Sequence, residues 1–80
     1  MKARVFVTLK KTVLDPQGQT ILRALGGLGY RSVKGVRQGK VFEVELDGLS
    51  PGEARAEIER IARDVLTNPV IEEFHYELDE

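Results

Sequence analysis

The chain has no cysteine, no tryptophan, one histidine and one methionine among 80 residues. Without thiols there is no disulfide and no thiolate nucleophile, and a single imidazole supplies too few ligands for a zinc site. Aromatic residues make up only 6%, so the core is expected to consist of Val, Leu and Ile rather than stacked rings. Neither sign of charge prevails. Twelve Lys and Arg stand against 13 Asp and Glu, a formal net charge of -1, which argues against a broad nucleic-acid footprint. No apolar run approaches the roughly 20 residues of a membrane span, and the first residues alternate instead of forming a signal-peptide core. A soluble, cytoplasmic protein is expected, with neither nucleic acid nor membrane as partner.

What remains is one small domain over residues 1–80, too short for two cores. A domain this small has a thin stability margin, which disulfides, metals or oligomerisation usually widen. With the first two removed by composition, self-association as a dimer or higher is the expected aid.

Lys2–Lys10 alternates, with Ala3, Val5, Val7 and Leu9 on one side and polar residues on the other, the pattern of a half-buried strand. Phe6 interrupts the polar side. Asp15-Pro16 then starts a helix: the carboxylate can accept from free N–H groups of the first turn, and proline at the first position loses nothing by lacking its own. Ile21, Leu22, Leu25 and Leu28 form its apolar face, and Gly26, Gly27 and Gly29 are expected to end it. The span from Tyr30 to Asp47 predicts a hairpin, with Val33 and Val36 in the first arm and Phe42, Val44 and Leu46 in the second. Its bend falls at Gln38-Gly39. Ser50-Pro51-Gly52-Glu53 is a capping box that opens a second helix, with Ala54, Ile58, Ile61, Ala62, Val65 and Leu66 as its stripe. Asn68-Pro69 stops that helix, since the residue before proline is pushed out of the helical region. Phe74, Tyr76 and Leu78 then mark a last strand. The order βαββαβ predicts an α+β domain with a ferredoxin-like antiparallel sheet and two helices on one face. Phe6, Val41 and Ile71 would share the uncovered face, where they are candidates for a dimer surface.

No catalytic constellation emerges. His75 stands between Phe74 and Tyr76 with no partner histidine or cysteine, which favours a surface or structural role. Glu43, Glu45, Glu72 and Glu73 resemble outer-face and edge charges rather than an acid/base pair. Lys10-Lys11 beside a helix start could attract an anion, but Asp15 occupies the donors an anion would use, so a capped helix is the better reading. Arg37 and Lys40 would lie at a solvated hairpin tip. An acylphosphatase shares the element order, yet the turn after the first strand carries Lys10-Lys11-Thr12-Val13-Leu14, without its glycine-rich loop or arginine. An RNA-recognition motif needs stacking rings on one face, and Phe6 and Phe42 have opposite parity.

Three signatures stand in order along the chain: Leu9-Lys10-Lys11-Thr12-Val13-Leu14-Asp15-Pro16-Gln17-Gly18, Val36-Arg37-Gln38-Gly39-Lys40 and Asn68-Pro69-Val70-Ile71-Glu72. Together, and at this length, they resemble the PurS family, the small subunit of bacterial and archaeal phosphoribosylformylglycinamidine synthase. The resemblance implies a non-catalytic subunit of purine biosynthesis that dimerises and bridges a PurL-like synthetase and a PurQ-like glutaminase, assisting ammonia transfer between them. It implies no cofactor in this chain, ATP and glutamine being used by the partner subunits. The motif positions it marks as structural or interface residues are Lys10, Asp15, Pro16, Gln17, Gly18, Arg37, Gly39, Lys40, Asn68 and Pro69. The alternative from another class is a free-standing regulatory domain that binds a small metabolite at a dimer interface.

Overall fold

The computed structural model describes residues 1–79. Its elements are β1 (Lys2–Leu9), α1 (Pro16–Gly27), β2 (Gly39–Glu45), α2 (Pro51–Ile61) and β3 (Glu72–Asp79). β1 lies between β2 and β3, antiparallel to both. The register puts Ala3 between Val44 and Leu78, and Val5 between Phe42 and Tyr76. Alternation therefore assembles one apolar face across all three strands.

That face is covered by α2. Ala3, Val5 and Val7 are at most 1% exposed, and Ala54, Ile58 and Ala62 at 0% close the core from the helix side. The small side chains of β1 let the helix approach, while Phe42, Val44, Leu46, Phe74, Tyr76 and Leu78 wall it from the flanking strands. The helix begins where the capping box predicts. Glu53 N–H donates to the Ser50 hydroxyl at 3.2 Å, and Ser50 N–H donates to the Glu53 carboxylate at 3.1 Å. After Ile61 the helix continues as a π-helical turn, Ala62–Leu66. The wider turn departs from the 3.6-residue stripe. Val65, expected on the buried side, is instead 74% exposed.

The α+β class and the ferredoxin-like antiparallel sheet with two helices agree with expectation. Two details differ. Among the described residues the sheet has three strands rather than four: a turn at Arg31-Ser32 is followed by residues 33–38, which have no regular structure and pair with no strand. Val33 and Val36 have strand-like chemistry, yet neither is paired in the sheet. The element order is accordingly βαβαβ, and the predicted hairpin is absent. Second, α1 contributes no side chain to the core. Its one buried residue is Gly18, while Ile21 is 40% and Leu28 75% exposed. The helix ends in a Schellman motif: Tyr30 N–H donates to Leu25 O at 3.0 Å, Gly29 N–H to Gly26 O at 3.1 Å, and Gly29 takes φ +94°. Gly26 and Gly27 are helical rather than terminating.

Residues 10–38 thus form an arm that leaves the body between β1 and β2. The molecule measures 50 × 25 × 14 Å, with a radius of gyration of 16.1 Å. A compact 80-residue domain would have about 12 Å. This division predicts where stability resides. Ile58→Ala should lower the free energy of denaturant unfolding by about 2–5 kcal/mol, and Ser50→Ala by about 1 kcal/mol, both measured against the parent chain.

Candidate functional site

The three signatures, far apart in sequence, meet at one end of the sheet. Lys10, just beyond β1, donates its N–H to Ile71 O at 2.8 Å. Lys40 near the start of β2 and Glu72 at the start of β3 face each other across β1, Nζ to Oε2 3.7 Å. The other oxygen of Glu72 accepts Asn68 N–H at 2.7 Å. Asn68 builds the turn before β3: its Oδ1 accepts Val70 N–H at 3.1 Å, and its carbonyl accepts the N–H groups of Ile71 and Glu72 at 3.2 and 2.8 Å. Pro69 sits exposed at that corner.

The tightest part is the root of the arm, where the outgoing and returning chains cross. Asp15 caps α1, accepting Gly18 N–H on Oδ1 at 3.0 Å. Its Oδ2 accepts Gln38 N–H at 2.7 Å from the returning segment. Arg37 Nη2 donates to both Lys10 O and Val13 O, each at 3.0 Å. Gln38 Nε2 donates to Gln17 Oε1 at 2.6 Å. Arg37-Gln38-Gly39-Lys40 is therefore not a hairpin tip. It is a seam, with the Arg37 cation satisfied by two carbonyls of the loop it returns past.

Asp15 is 4% exposed. The backbone N–H of Gln38, then that of Gly18, stabilise its charge and hold the carboxyl below the ordinary aspartate range, against the opposing effect of burial. Arg37 adds to the same shift. Two glycines make the crossing possible. A Cβ on Gly18 would overlap Val36 O and lie 2.7 Å from Asp15 Oδ2. A Cβ on Gly39 would lie 2.7 Å from Val7 O and from the Thr8 methyl.

Beside this root is a cleft of about 240 Å³, lined by Val7, Leu9, Asp15, Gln17, Gln38, Gly39, Lys40 and Glu72. Its polar side chains are largely engaged with one another. Among the described residues no group of three His, Cys, Asp or Glu is placed to hold a metal ion. The arrangement is suited to fixing chain geometry, and no nucleophile stands in it beside a base.

The uncovered sheet face has a different character. Phe6 lies opposite Val41 on one side and His75 on the other. The Phe6 and His75 rings stack with centroids 4.6 Å apart, and Val41 is 54% exposed. Ile71 precedes β3 and is level with Lys10, four residues along the chain from His75, so the three apolar candidates do not form one cluster. Toward the other end of the face, Arg4 lies 3.5 Å from both Glu77 and Asp79, and Lys2 lies 3.5 Å from Glu43.

The PurS family model, described as phosphoribosylformylglycinamidine (FGAM) synthase, matches residues 2–80. The chain belongs to the PurS family. A relative from Methanocaldococcus jannaschii, phosphoribosylformylglycinamidine synthase subunit PurS, is 37% identical over 78 residues, covering 98% of this chain and 94% of the relative. The structure of Bacillus subtilis PurS superposes with a TM-score of 0.85 at 37% identity, covering 99% of this chain and 98% of that one. A PurS-like chain in the structure of PurLQS from Thermotoga maritima gives 0.87 at 30% identity, over 95% and 93%. Membership in the PurS family rests on nearly the whole sequence, residues 2–80.

Two residues of the root escaped the sequence signatures' obvious reading. Gln38 looks like a bend residue and Glu72 like an edge charge; Gln38 meets Asp15 and Gln17, and Glu72 meets Lys40, each more than 20 positions away.

The crossing makes two predictions. In a helix, glycine is ordinarily worse than alanine by roughly 1 kcal/mol. Gly26 has open space around it, so Gly26→Ala should slow amide exchange in α1. Gly18→Ala should speed it, because backbone must move to admit the methyl. The second concerns acid. A carboxyl whose folded pKa is depressed stabilises the fold fully above its unfolded value, and that contribution is lost as pH falls through the folded one. The Gln38 amide should therefore keep its protection from neutrality down to about pH 4 and lose it only below the ordinary aspartate value of about 3.9, as followed by NMR.

Proposed function

We propose that this chain is the small, non-catalytic subunit of phosphoribosylformylglycinamidine synthase in de novo purine biosynthesis. It bridges a PurL-like synthetase and a PurQ-like glutaminase, so that ammonia released from glutamine passes to the activated substrate. The observation that carries this reading is the family match over residues 2–80, joined to an arm whose helix adds no side chain to the core. The name of the Thermotoga maritima assembly, PurLQS, supports the same set of partners.

Physical chemistry favours such a bridge. Free ammonia is protonated at neutral pH and lost to solvent, so a glutaminase and a synthetase work together only if their sites are held in register and shielded from water. A scaffold can do this with no reacting group of its own. ATP and glutamine are then handled by the partner subunits, and this chain needs no cofactor. The reading places it in the cytoplasm; no helix among the described residues is long and apolar enough to cross a membrane.

Self-association belongs to the same proposal. The extended shape and the exposed Ile21 and Leu28 of α1 support a homodimer, and the Val41–Phe6–His75 row is a second face it could use. Metabolite binding by a free-standing regulatory domain has less support, because the polar groups of the cleft are already paired with one another.

Amidine formation by the synthetase and glutaminase, with and without this chain, tests the proposal. Omitting the chain should abolish most glutamine-driven turnover and leave ammonium-driven turnover largely intact. Equal rates in its presence and absence would overturn the bridge.

A further inference from the structure

The arm touches the body through its root. Beyond that point α1 places nothing in the core, and the returning segment pairs with no strand. The direction in which the apolar stripe of α1 points is therefore decided at the crossing of residues 10–18 with residues 36–39.

Besides the Gln38–Gln17 amide pair, two charged ties span that crossing. Arg37 fastens the returning chain to two carbonyls of the outgoing loop, at Lys10 and Val13. Asp15 divides its two oxygens: one caps its own helix through Gly18 N–H, and the other takes Gln38 N–H from across the arm. The first of these bonds is local and any good capping residue provides it. The second is not. Only a side chain with two acceptors at this length makes both at once, which distinguishes aspartate here from serine or threonine.

We infer that Asp15 and Arg37 are positioning residues that aim the arm, and that glutamine-driven turnover of the assembly depends on this aim rather than on the presence of α1 alone. The inference rests on the bridge reading given above. It assigns to the capping aspartate a task beyond starting a helix, and to Arg37 a task beyond that of a solvated turn residue.

The test separates capping from aiming. Asp15→Ser keeps one acceptor for Gly18 N–H and gives up the reach to Gln38. Arg37→Ala cuts the other tie from an exposed position, with no loss to the core. Each variant is assembled with the synthetase and glutaminase, and amidine formation is measured from glutamine and from ammonium. Amide exchange of α1 and of Gln38 is followed in parallel. Both variants should lower the ratio of glutamine-driven to ammonium-driven rate, on the order of tenfold for loss of a charge-assisted hydrogen bond. In Asp15→Ser, α1 should stay protected while the Gln38 amide exchanges faster. A wild-type ratio in both variants, with the Gln38 amide demonstrably loosened, overturns the inference while leaving the bridge intact. A wild-type chain that itself leaves the ratio unchanged sinks the bridge, and the inference with it.

Discussion

One carboxylate receives backbone N–H groups from both ends of a projecting arm, and the shape of the molecule depends on it. The body needs no such device: three strands and α2 enclose a core of nearly unexposed small and branched side chains. Residues 10–38 have no comparable core. Their geometry depends on the Asp15 carboxylate, on Arg37 against two carbonyls, and on glycines at the places where backbones nearly touch. Buried polar chemistry fixes what apolar packing leaves undetermined.

The chain belongs to a family of subunits of phosphoribosylformylglycinamidine synthase. On the bridge reading, such a subunit acts through where it places its neighbours. A rigid body with a held arm is a form that could do so. The apolar stripe on α1 has the pattern of a core-facing helix, yet none of it joins the core of its own chain.

Much of this was legible in the sequence, for reasons that differ by element. Helix starts are local chemistry, so Asp15-Pro16 and Ser50-Pro51 placed both N-termini correctly. The strands of the body alternate because one face is buried, and Ala3, Val5 and Val7 declared that face plainly. The strand expected around Val33 and Val36 failed for a complementary reason: β-branched residues indicate fitness for a sheet, and the pairing partner has to come from elsewhere. Val65 failed because a π-helical turn broke the periodicity that placed it inward. Arg37 was misplaced at a tip since its acceptors, the carbonyls of Lys10 and Val13, leave no trace in side-chain identity. The three signatures gave no sign in the sequence that they converge.

The pairing of Lys2 with Asp79 sets a condition on folding. The central strand comes first in the chain and one of its neighbours last, so the sheet must close nearly the whole sequence into a loop before its core can form. Such non-local pairing slows folding. It also frees the arm from constraint on length, since closure entropy grows only logarithmically and a doubling costs about 0.6 kcal/mol. Residues inserted between Gly29 and Val36 would scarcely burden the body, so the reach of this arm can change over generations while the sheet that carries it stays the same.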